Sequence, residues 1–449
     1  MASLVEEVYA SFQENTDIDE LGVILSPAPP NVICTENKLG ISMTVLKPMF
    51  SYAVPRLYSV GLEFKRCKTH ELAQELLKLT LAILVVKGDF PPALNMRKEL
   101  ILYGHLDPLN EMHVLEVILS KHPKSPSCWH HRKWCMLQLS EKNILPISHI
   151  VHQECSLCSR SCDLYPKNYY AWNHRLWITE NMNENELHEE LEWTGRWLRK
   201  HVSDHSAVSH YTQVVLLLSK LGVHVMPKAV REGVELVGKC AGHESLWYLR
   251  RTLASILIDR VTHDMPSCET YEVIQQPDCS KWKNILYHCI SEASDLEIRS
   301  DDSDDEDLNV EYHMNKLSTL FSTFPNCECD ISPSELANSF LVWVNCWLEF
   351  EVNFVVACIN DDSSWDPETQ RRQGVLYLAH IFHKLANAFC ISGEQEADRC
   401  TRTNDDTPTL KNTLSESLQN ICRYISSDPT IESNSKMKWK YFLDHWRSN

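Results

Sequence analysis

Apolar residues recur at three- and four-residue spacing along most of the first 260 positions, a period that predicts amphipathic helices. Five such runs occur, and each is followed after a short turn by a second helical segment. The five runs are at 71–86, 112–122, 152–165, 186–201 and 229–240. Because one hairpin cannot bury its apolar face alone, the hairpins are expected to stack. The pattern therefore predicts an all-α fold, an α-solenoid of stacked helix hairpins.

The second segments share a signature in which an arginine follows a tryptophan by three positions. "SPSCWHHRKW" (125–134) and "NYYAWNHRLW" (168–177) align without a gap, and "HESLWYLRR" (243–251) keeps both residues. Self-similarity at a fixed period is typical of repeat proteins. The signature residues are Trp129, Arg132, Trp172, Arg175, Trp247 and Arg250.

Two further segments carry weaker copies of the signature. Leu94 stands at the tryptophan position of one, and Val208 and Tyr211 replace the pair in the other. We call the tryptophan position the key position of each repeat; the five key positions are 94, 129, 172, 208 and 247. Five repeats are therefore predicted over 70–263, after an N-terminal helical lead-in over 1–69.

The residues before each signature indicate where the second helices begin. Ser125, Asn168 and Asp204 precede their key positions by four residues, and all three are good N-caps. The tryptophan and the arginine then share one helix face. A bulky ring at one register of every repeat predicts packing between hairpins. The arginines have two alternative roles, which are to satisfy carbonyls or carboxylates between repeats or to face a partner.

Composition narrows the class of protein. Hydrophobic residues make up 43% and charged residues 23%, which is typical of a soluble chain with a core. The net charge of −18 argues against nucleic acid or an anionic membrane as the main partner. The most apolar run, 340–359, contains Asn and Glu and favours a buried helix over a transmembrane segment. Eighteen scattered cysteines favour reduced thiols and a cytoplasmic location.

The region after the repeats divides into two parts. Ten acidic side chains lie within 292–311 against Arg299 alone, which predicts an acidic disordered insertion. Residues 312–449 are expected to form a C-terminal helical extension that caps the array, since the end of a repeat array needs a polar outer face.

One cysteine-rich segment has the spacing of half a metal site. "HQECSLCSRSC" (152–162) contains three cysteines and His152, but a structural zinc site normally pairs two such clusters. The segment falls on a predicted repeat helix, where cysteine serves as a small core residue. No metal ligands and no cofactor are therefore predicted for this chain.

A hairpin repeat with a cap, three residues, Trp, two residues and Arg resembles the protein prenyltransferase α-subunit repeat. The resemblance is best over 70–255. "DIDELGVI" (17–24) and "TENKLGI" (35–41) are similar to the geranylgeranyltransferase branch of that family. The resemblance implies a crescent of hairpins wrapping a prenyltransferase β subunit, of the Rab geranylgeranyltransferase type, which carries zinc. It also implies geranylgeranyl diphosphate at the interface and a protein substrate with a C-terminal cysteine.

The resemblance also assigns candidate catalytic residues. In the family, the Lys and Tyr of a Lys-Asn-Tyr turn lie near the diphosphate, and Lys167 and Tyr169 match them. A lysine before a helix N-cap suits an anion, because the free N–H groups of the helix point the same way. His205 occupies the corresponding turn of the next repeat. The alternatives are an ordinary surface lysine at 167 and, for the whole chain, a non-catalytic scaffold that binds a protein partner without prenyl transfer.

Overall fold

The computed structural model describes most of the first 264 residues and isolated helical residues beyond them. The described ranges are 1–25, 29–222, 225–240 and 242–264, with isolated positions between 315 and 384. The predicted acidic insertion and most of the predicted C-terminal extension lie outside the described residues. The chain divides into two compact units, Met1–Glu190 and Leu191–Asn449.

Twelve α-helices and three strands occur within 1–264. The helices are α1 (Ala2–Glu14), α2 (Met43–Arg66), α3 (His70–Val86), α4 (Pro91–Leu102), α5 (Pro108–Lys121), α6 (Pro126–Glu141), α7 (Val151–Leu164), α8 (Tyr169–Thr179), α9 (Glu184–Lys200), α10 (His205–Lys220), α11 (Met226–Lys239) and α12 (Glu244–Asp264). The strands are β1 (Glu20–Ile24), β2 (Val32–Thr35) and β3 (Lys38–Ser42).

Helices α3 to α12 follow one another over 70–264 in the order that five hairpins require. In the first unit, α3 packs on α4, α5 on α6 and α7 on α8. The second helices α4, α6 and α8 also pack on one another in order, and α5 packs on α7, so the hairpins stack in two layers. In the second unit, α12 packs on both α10 and α11. The predicted α-solenoid of helix hairpins is confirmed within each unit.

The cap residues begin the second helices as predicted. The Ser125 hydroxyl accepts a hydrogen bond from the Cys128 N–H, and the Asn168 side chain accepts one from the Ala171 N–H. The Asp204 carboxylate accepts two, from the N–H groups of residues 206 and 207. Each cap satisfies donors that the first turn of a helix leaves open, so it fixes the start of the helix.

A three-stranded sheet over residues 20–42 departs from the predicted helical lead-in. Strand β3 is central, parallel to β1 and antiparallel to β2. The Leu21 N–H donates to the Ser120 hydroxyl at 2.9 Å, which ties β1 to α5. Strands of four and five residues carry too few alternations for periodicity alone to identify them.

The signature tryptophans lie in the interior of the repeats. Trp129, Trp172 and Trp247 are at most 3% exposed. The Trp129 indole N–H donates to the Pro123 carbonyl at 2.9 Å, and the Asn168 amide donates to the same oxygen at 2.8 Å. One carbonyl therefore connects the tryptophan of one repeat to the helix cap of the next.

We expect Trp129→Ala to lower the free energy of unfolding by about 3–5 kcal/mol, because it leaves a large cavity in the interior of the repeats. Trp134→Ala is the matched control, since this ring lies on the same helix but is only half-buried. Urea unfolding followed by circular dichroism measures both losses. Equal losses for the two variants would contradict the interior role of Trp129.

Candidate functional site

A buried ion pair joins the first two repeats. The Arg97 guanidinium of α4 donates to the Glu111 carboxylate of α5, with Nε at 2.8 Å from both oxygens. Glu111 is 0% exposed and Arg97 is 2% exposed. The His131 Nε2 lies 2.8 Å from the same carboxylate, so α6 also reaches this group. Arginine, glutamate and histidine thus connect three helices at one point.

The same arrangement recurs one repeat later. The Arg132 Nε donates to the Glu154 carboxylate at 2.9 Å, and the His174 Nε2 lies 2.8 Å from it. In the third repeat the Arg175 Nη2 donates to Glu190 at 2.7 Å. We call these three arginine–glutamate pairs the ladder. Each arginine reaches the first helix of the following repeat, which settles the two sequence alternatives in favour of a carboxylate partner between repeats.

The second unit contains two variants of the same contact. Tyr211 stands at the arginine position, and its hydroxyl donates to Glu232 at 2.7 Å. Arg250 forms a buried ion pair with Glu351, to which the Tyr377 hydroxyl also donates at 2.8 Å. Tyr211 therefore keeps the hydrogen bond of the repeat without its charge, and the last signature arginine finds its carboxylate in the C-terminal region.

The glutamates of the ladder were missed by the sequence reasoning, although a signal exists. Glu111, Glu154 and Glu190 each precede the key position of their own repeat by 18 residues. Each is a charged residue on the apolar face of a first helix. A buried carboxylate requires a partner, so this repeated exception to the amphipathic pattern points to the arginines.

Two of the ladder carboxylates, Glu111 and Glu154, stay ionised at neutral pH. Burial alone would raise the pKa of Glu111, but Arg97 and the hydrogen bond from His131 more than offset it and hold the pKa at about 2. Burial, Arg132 and His174 act in the same way on Glu154, whose pKa is also about 2. Arg97 and Arg132 are therefore each paired with a full negative charge in the buried interior.

The cysteine-rich segment is part of the packing of α7. Cys158 and Cys162 are buried, and burial raises the pKa of the Cys155 thiol to about 12. A thiol must lose its proton to bind a metal, so this shift disfavours metal binding by Cys155. Among the described residues, no group of three or more His, Cys, Asp or Glu side chains is arranged to hold a metal ion.

Lys167 and Tyr169 stand together at the start of α8. Both side chains are exposed, on either side of the buried cap Asn168. The Lys167 backbone has a φ of 59°, and its carbonyl accepts from the Tyr169 N–H at 3.0 Å. This left-handed conformation is uncommon for lysine. Lys167 makes no ion pair with any residue that the structure describes, so its ammonium group is available to a ligand.

The preceding repeat contains a lysine at the same position with a different environment. Lys124 also directly precedes a helix cap, Ser125, and is exposed. Its Nζ lies 3.9 Å from the centre of the Tyr165 ring, within the range of a cation–π contact. Lys124 thus contacts an aromatic ring, and Lys167 has no such contact with any described residue, so Lys124 serves as a matched reference for Lys167.

The third candidate, His205, belongs to the second unit. It is the first residue of α10, is exposed, and lies 6.3 Å from the Tyr248 ring between centroids. Its neighbour Asp204 is buried as the helix cap and also accepts from the Trp197 indole at 3.4 Å. His205 is therefore accessible, whereas the Asp204 carboxylate is used internally.

Comparison with known proteins identifies the repeats. Residues 108–139, 151–182 and 187–218 match the family described as protein prenyltransferase alpha subunit repeat. The chain is 31% identical over 305 residues to protein prenyltransferase alpha subunit repeat-containing protein 1 of Danio rerio, covering 55% of this chain and 70% of that protein. The chain belongs to the protein prenyltransferase alpha subunit repeat family.

Other members of the prenyltransferase alpha subunit repeat family show comparable similarity. Repeat-containing protein 1 of Homo sapiens is 29% identical over 308 residues, covering 55% of this chain and 75% of the human protein. Repeat-containing protein 1-B of Xenopus laevis is 30% identical over 314 residues, covering 57% of this chain and 72% of the Xenopus protein. The three matched segments correspond to α5–α6, α7–α8 and α9–α10. In the described part of the chain, no helix combines the length and apolarity needed to cross a membrane.

Removing a ladder carboxylate should destabilise the protein strongly. We expect Glu154→Ala to lower the free energy of unfolding by about 3–5 kcal/mol, because it leaves Arg132 buried without its counterion. Glu116→Ala is the control, since it removes an ion pair to the partly exposed Arg160 that also joins α5 to α7, and should cost about 1 kcal/mol or less. Denaturant unfolding at pH 7 measures the stability loss of each variant. A loss for Glu154→Ala no larger than the control would contradict the ladder.

The ladder also predicts acid lability. The folded-state pKa of Glu154, about 2, lies below its ordinary value of 4.5, so its stabilisation is present above pH 4.5 and is lost as pH falls towards 2. Urea unfolding between pH 7 and pH 2.5 should show this loss. The stability gap between the wild type and Glu154→Gln should narrow over the same range, because protonation makes the two side chains alike. A pH-independent gap would contradict the assignment.

Proposed function

We propose that this chain is the α-type subunit of a heterodimeric protein prenyltransferase. In that role it supports transfer of a geranylgeranyl group from its diphosphate to a C-terminal cysteine of a protein substrate. Membership of the family supports the general role. The choice of geranylgeranyl, a β subunit of the Rab geranylgeranyltransferase type and a cytoplasmic location all follow from the sequence resemblance.

The observation that carries the proposal is the exposed Lys167 at the start of α8, which forms no ion pair with any described residue. A lysine ammonium group is a compact positive charge with three donors. The adjoining N-terminus of α8 adds the favourable end of its helix dipole. Together they suit a diphosphate, whose negative charge grows as the bond to the prenyl carbon breaks. A positive group aimed at that developing charge lowers the barrier more than it strengthens substrate binding.

Tyr169 supplies a second donor on the same turn. Its side chain is 59% exposed, and its ring packs edge-on against Tyr170 at 5.6 Å between centroids. The ring contact restricts the position of the Tyr169 hydroxyl but leaves its O–H group able to donate a hydrogen bond to a ligand. The zinc that holds and activates the substrate thiol is expected in the β subunit. The β subunit thus activates the thiol, and the residues of this chain bind and stabilise the diphosphate leaving group.

We expect Lys167→Asn to lower kcat for prenyl transfer by roughly tenfold to a hundredfold in the reconstituted heterodimer, because one charged donor to the leaving group is lost. Asparagine tolerates the left-handed backbone at 167, so the variant removes the charge without adding strain. The KM for the protein substrate should stay within about twofold, since the missing interaction develops only in the transition state.

Lys124→Asn is the matched control, since it removes a lysine from the equivalent turn and should leave kcat unchanged. An unchanged rate for Lys167→Asn would overturn the leaving-group role. If no β-type subunit co-purifies with the tagged full-length chain, the transferase proposal itself fails. In that case the scaffold function is the remaining alternative.

A further inference from the structure

Lysine and tryptophan side chains of neighbouring second helices meet on the surface of α4, α6 and α8. Lysine occurs four positions after the key position at Lys98 and Lys133, and tryptophan occurs five positions after it at Trp134 and Trp177. The structure brings each lysine to the tryptophan of the following repeat. The Lys98 Nζ lies 5.4 Å from the Trp134 ring centre, and the Lys133 Nζ lies 4.4 Å from the Trp177 ring centre. We call these four residues the Lys–Trp stripe.

Both rings of the stripe are half-buried and held in place. His131 stacks on Trp134 with 5.8 Å between centroids and 8° between planes. His174 contacts Trp177 at 5.5 Å. The two histidines are buried and are the ones that bind the ladder carboxylates, so the surface rings pack on hydrogen-bonded groups of the interior. Aromatic side chains already fixed in the free protein lose little entropy on binding, which makes them good anchors.

Polar side chains flank the stripe on the same helix faces. Asn95, His130 and Asn173 each follow a key position by one residue and are exposed. No hydrogen bond to another residue is found for the two asparagine side chains in the described part of the chain. An amide group offers a donor and an acceptor, which is what the backbone of an extended peptide requires.

The charge of the stripe selects the partner. Lys98 and Lys133 form no ion pair with any described residue, and no carboxylate of α4 or α6 neutralises either of them, although the whole chain carries a net charge of −18. A partner that places carboxylates beside these two ammonium groups gains electrostatic complementarity.

We propose that the Lys–Trp stripe is a docking site for an extended acidic peptide segment of a protein partner. Asn95 and Asn173 bond the peptide backbone, Trp134 and Trp177 pack against its side chains, and Lys98 and Lys133 pair with its carboxylates. Repeat proteins commonly bind extended ligands along such a surface, with one repeat contributing one set of contacts. The proposal does not depend on prenyl transfer.

The stripe is confined to the first three repeats. At the positions equivalent to Trp134, the fourth and fifth repeats have Gln213 and Thr252. The packing of the repeats themselves therefore does not require an indole there. This separates the stripe from the signature tryptophans, which occur in the fifth repeat as well.

The test is fluorescence anisotropy of the full-length chain with a fluorescein-labelled 15-residue peptide, five repeats of Asp-Leu-Glu. We expect saturable binding that weakens with added salt and falls at least about tenfold in the double variant Lys98→Glu, Lys133→Glu, as for charges at the centre of an interface. Lys142→Glu is the control for total charge, since this exposed lysine ends α6 away from the stripe, and should change binding less than about twofold.

Aromatic anchoring is tested separately with Trp177→Leu, which should weaken binding while its circular dichroism stays that of the wild type. Absence of saturable binding up to about 1 mM peptide, a weak-affinity limit, would overturn the proposal. So would equal binding of a Lys-Leu-Lys peptide, or loss of affinity in Lys142→Glu equal to that of the double variant. Preferential binding of a single-stranded oligothymidylate of the same length would assign the stripe to nucleic acid and likewise overturn it.

Discussion

The buried pairing of arginine with glutamate across repeat boundaries is the interaction on which the stack depends. Each guanidinium is placed in the interior by the signature of one repeat, and its carboxylate comes from the next. A buried charge without its partner costs several kcal/mol, so a repeat is stable only when its successor is in register. Hydrophobic burial is non-directional, whereas each guanidinium–carboxylate pair has a defined geometry, so the pairs add specificity to the stacking.

The need to pair a buried carboxylate also explains how the fourth and fifth repeats depart from the arginine–glutamate pattern. Where Tyr211 replaces arginine, its hydroxyl still donates to Glu232, and Arg199 supplies the positive charge from a different helix at 2.8 Å. In this repeat the positive charge beside the carboxylate therefore comes from a different position, and the carboxylate keeps both an ion pair and a hydrogen bond. Arg250 meets the same requirement with Glu351, far along the chain. The carboxylate is the fixed member of the contact and its partners vary.

Much of the fold could be predicted from the sequence, because the helices depend on local signals. Hydrophobic period, N-caps and the tryptophan–arginine signature define the hairpins to within a few residues. The sheet over 20–42 could not be predicted this way, since its strands are short and gain stability from α5 through contacts such as Leu21 with Ser120. The ladder glutamates were also missed. A single Glu on an apolar helix face does not indicate a buried ion pair, and the shared position of the three glutamates becomes visible only when the repeats are aligned.

Predicting the candidate site was harder, because a turn lysine carries the same local signal in either environment. Lys124 and Lys167 both follow proline and precede a cap, yet only the structure distinguishes the ammonium packed on Tyr165 from the one left open. Lys167 also differs from Lys124 in its backbone, which is left-handed at Lys167 only. Glycine or asparagine would adopt this conformation at lower cost, so lysine at 167 is not the choice that helix capping favours. Lysine at 167 thus carries a conformational cost, and among the described residues its side chain forms no ion pair that would offset this cost.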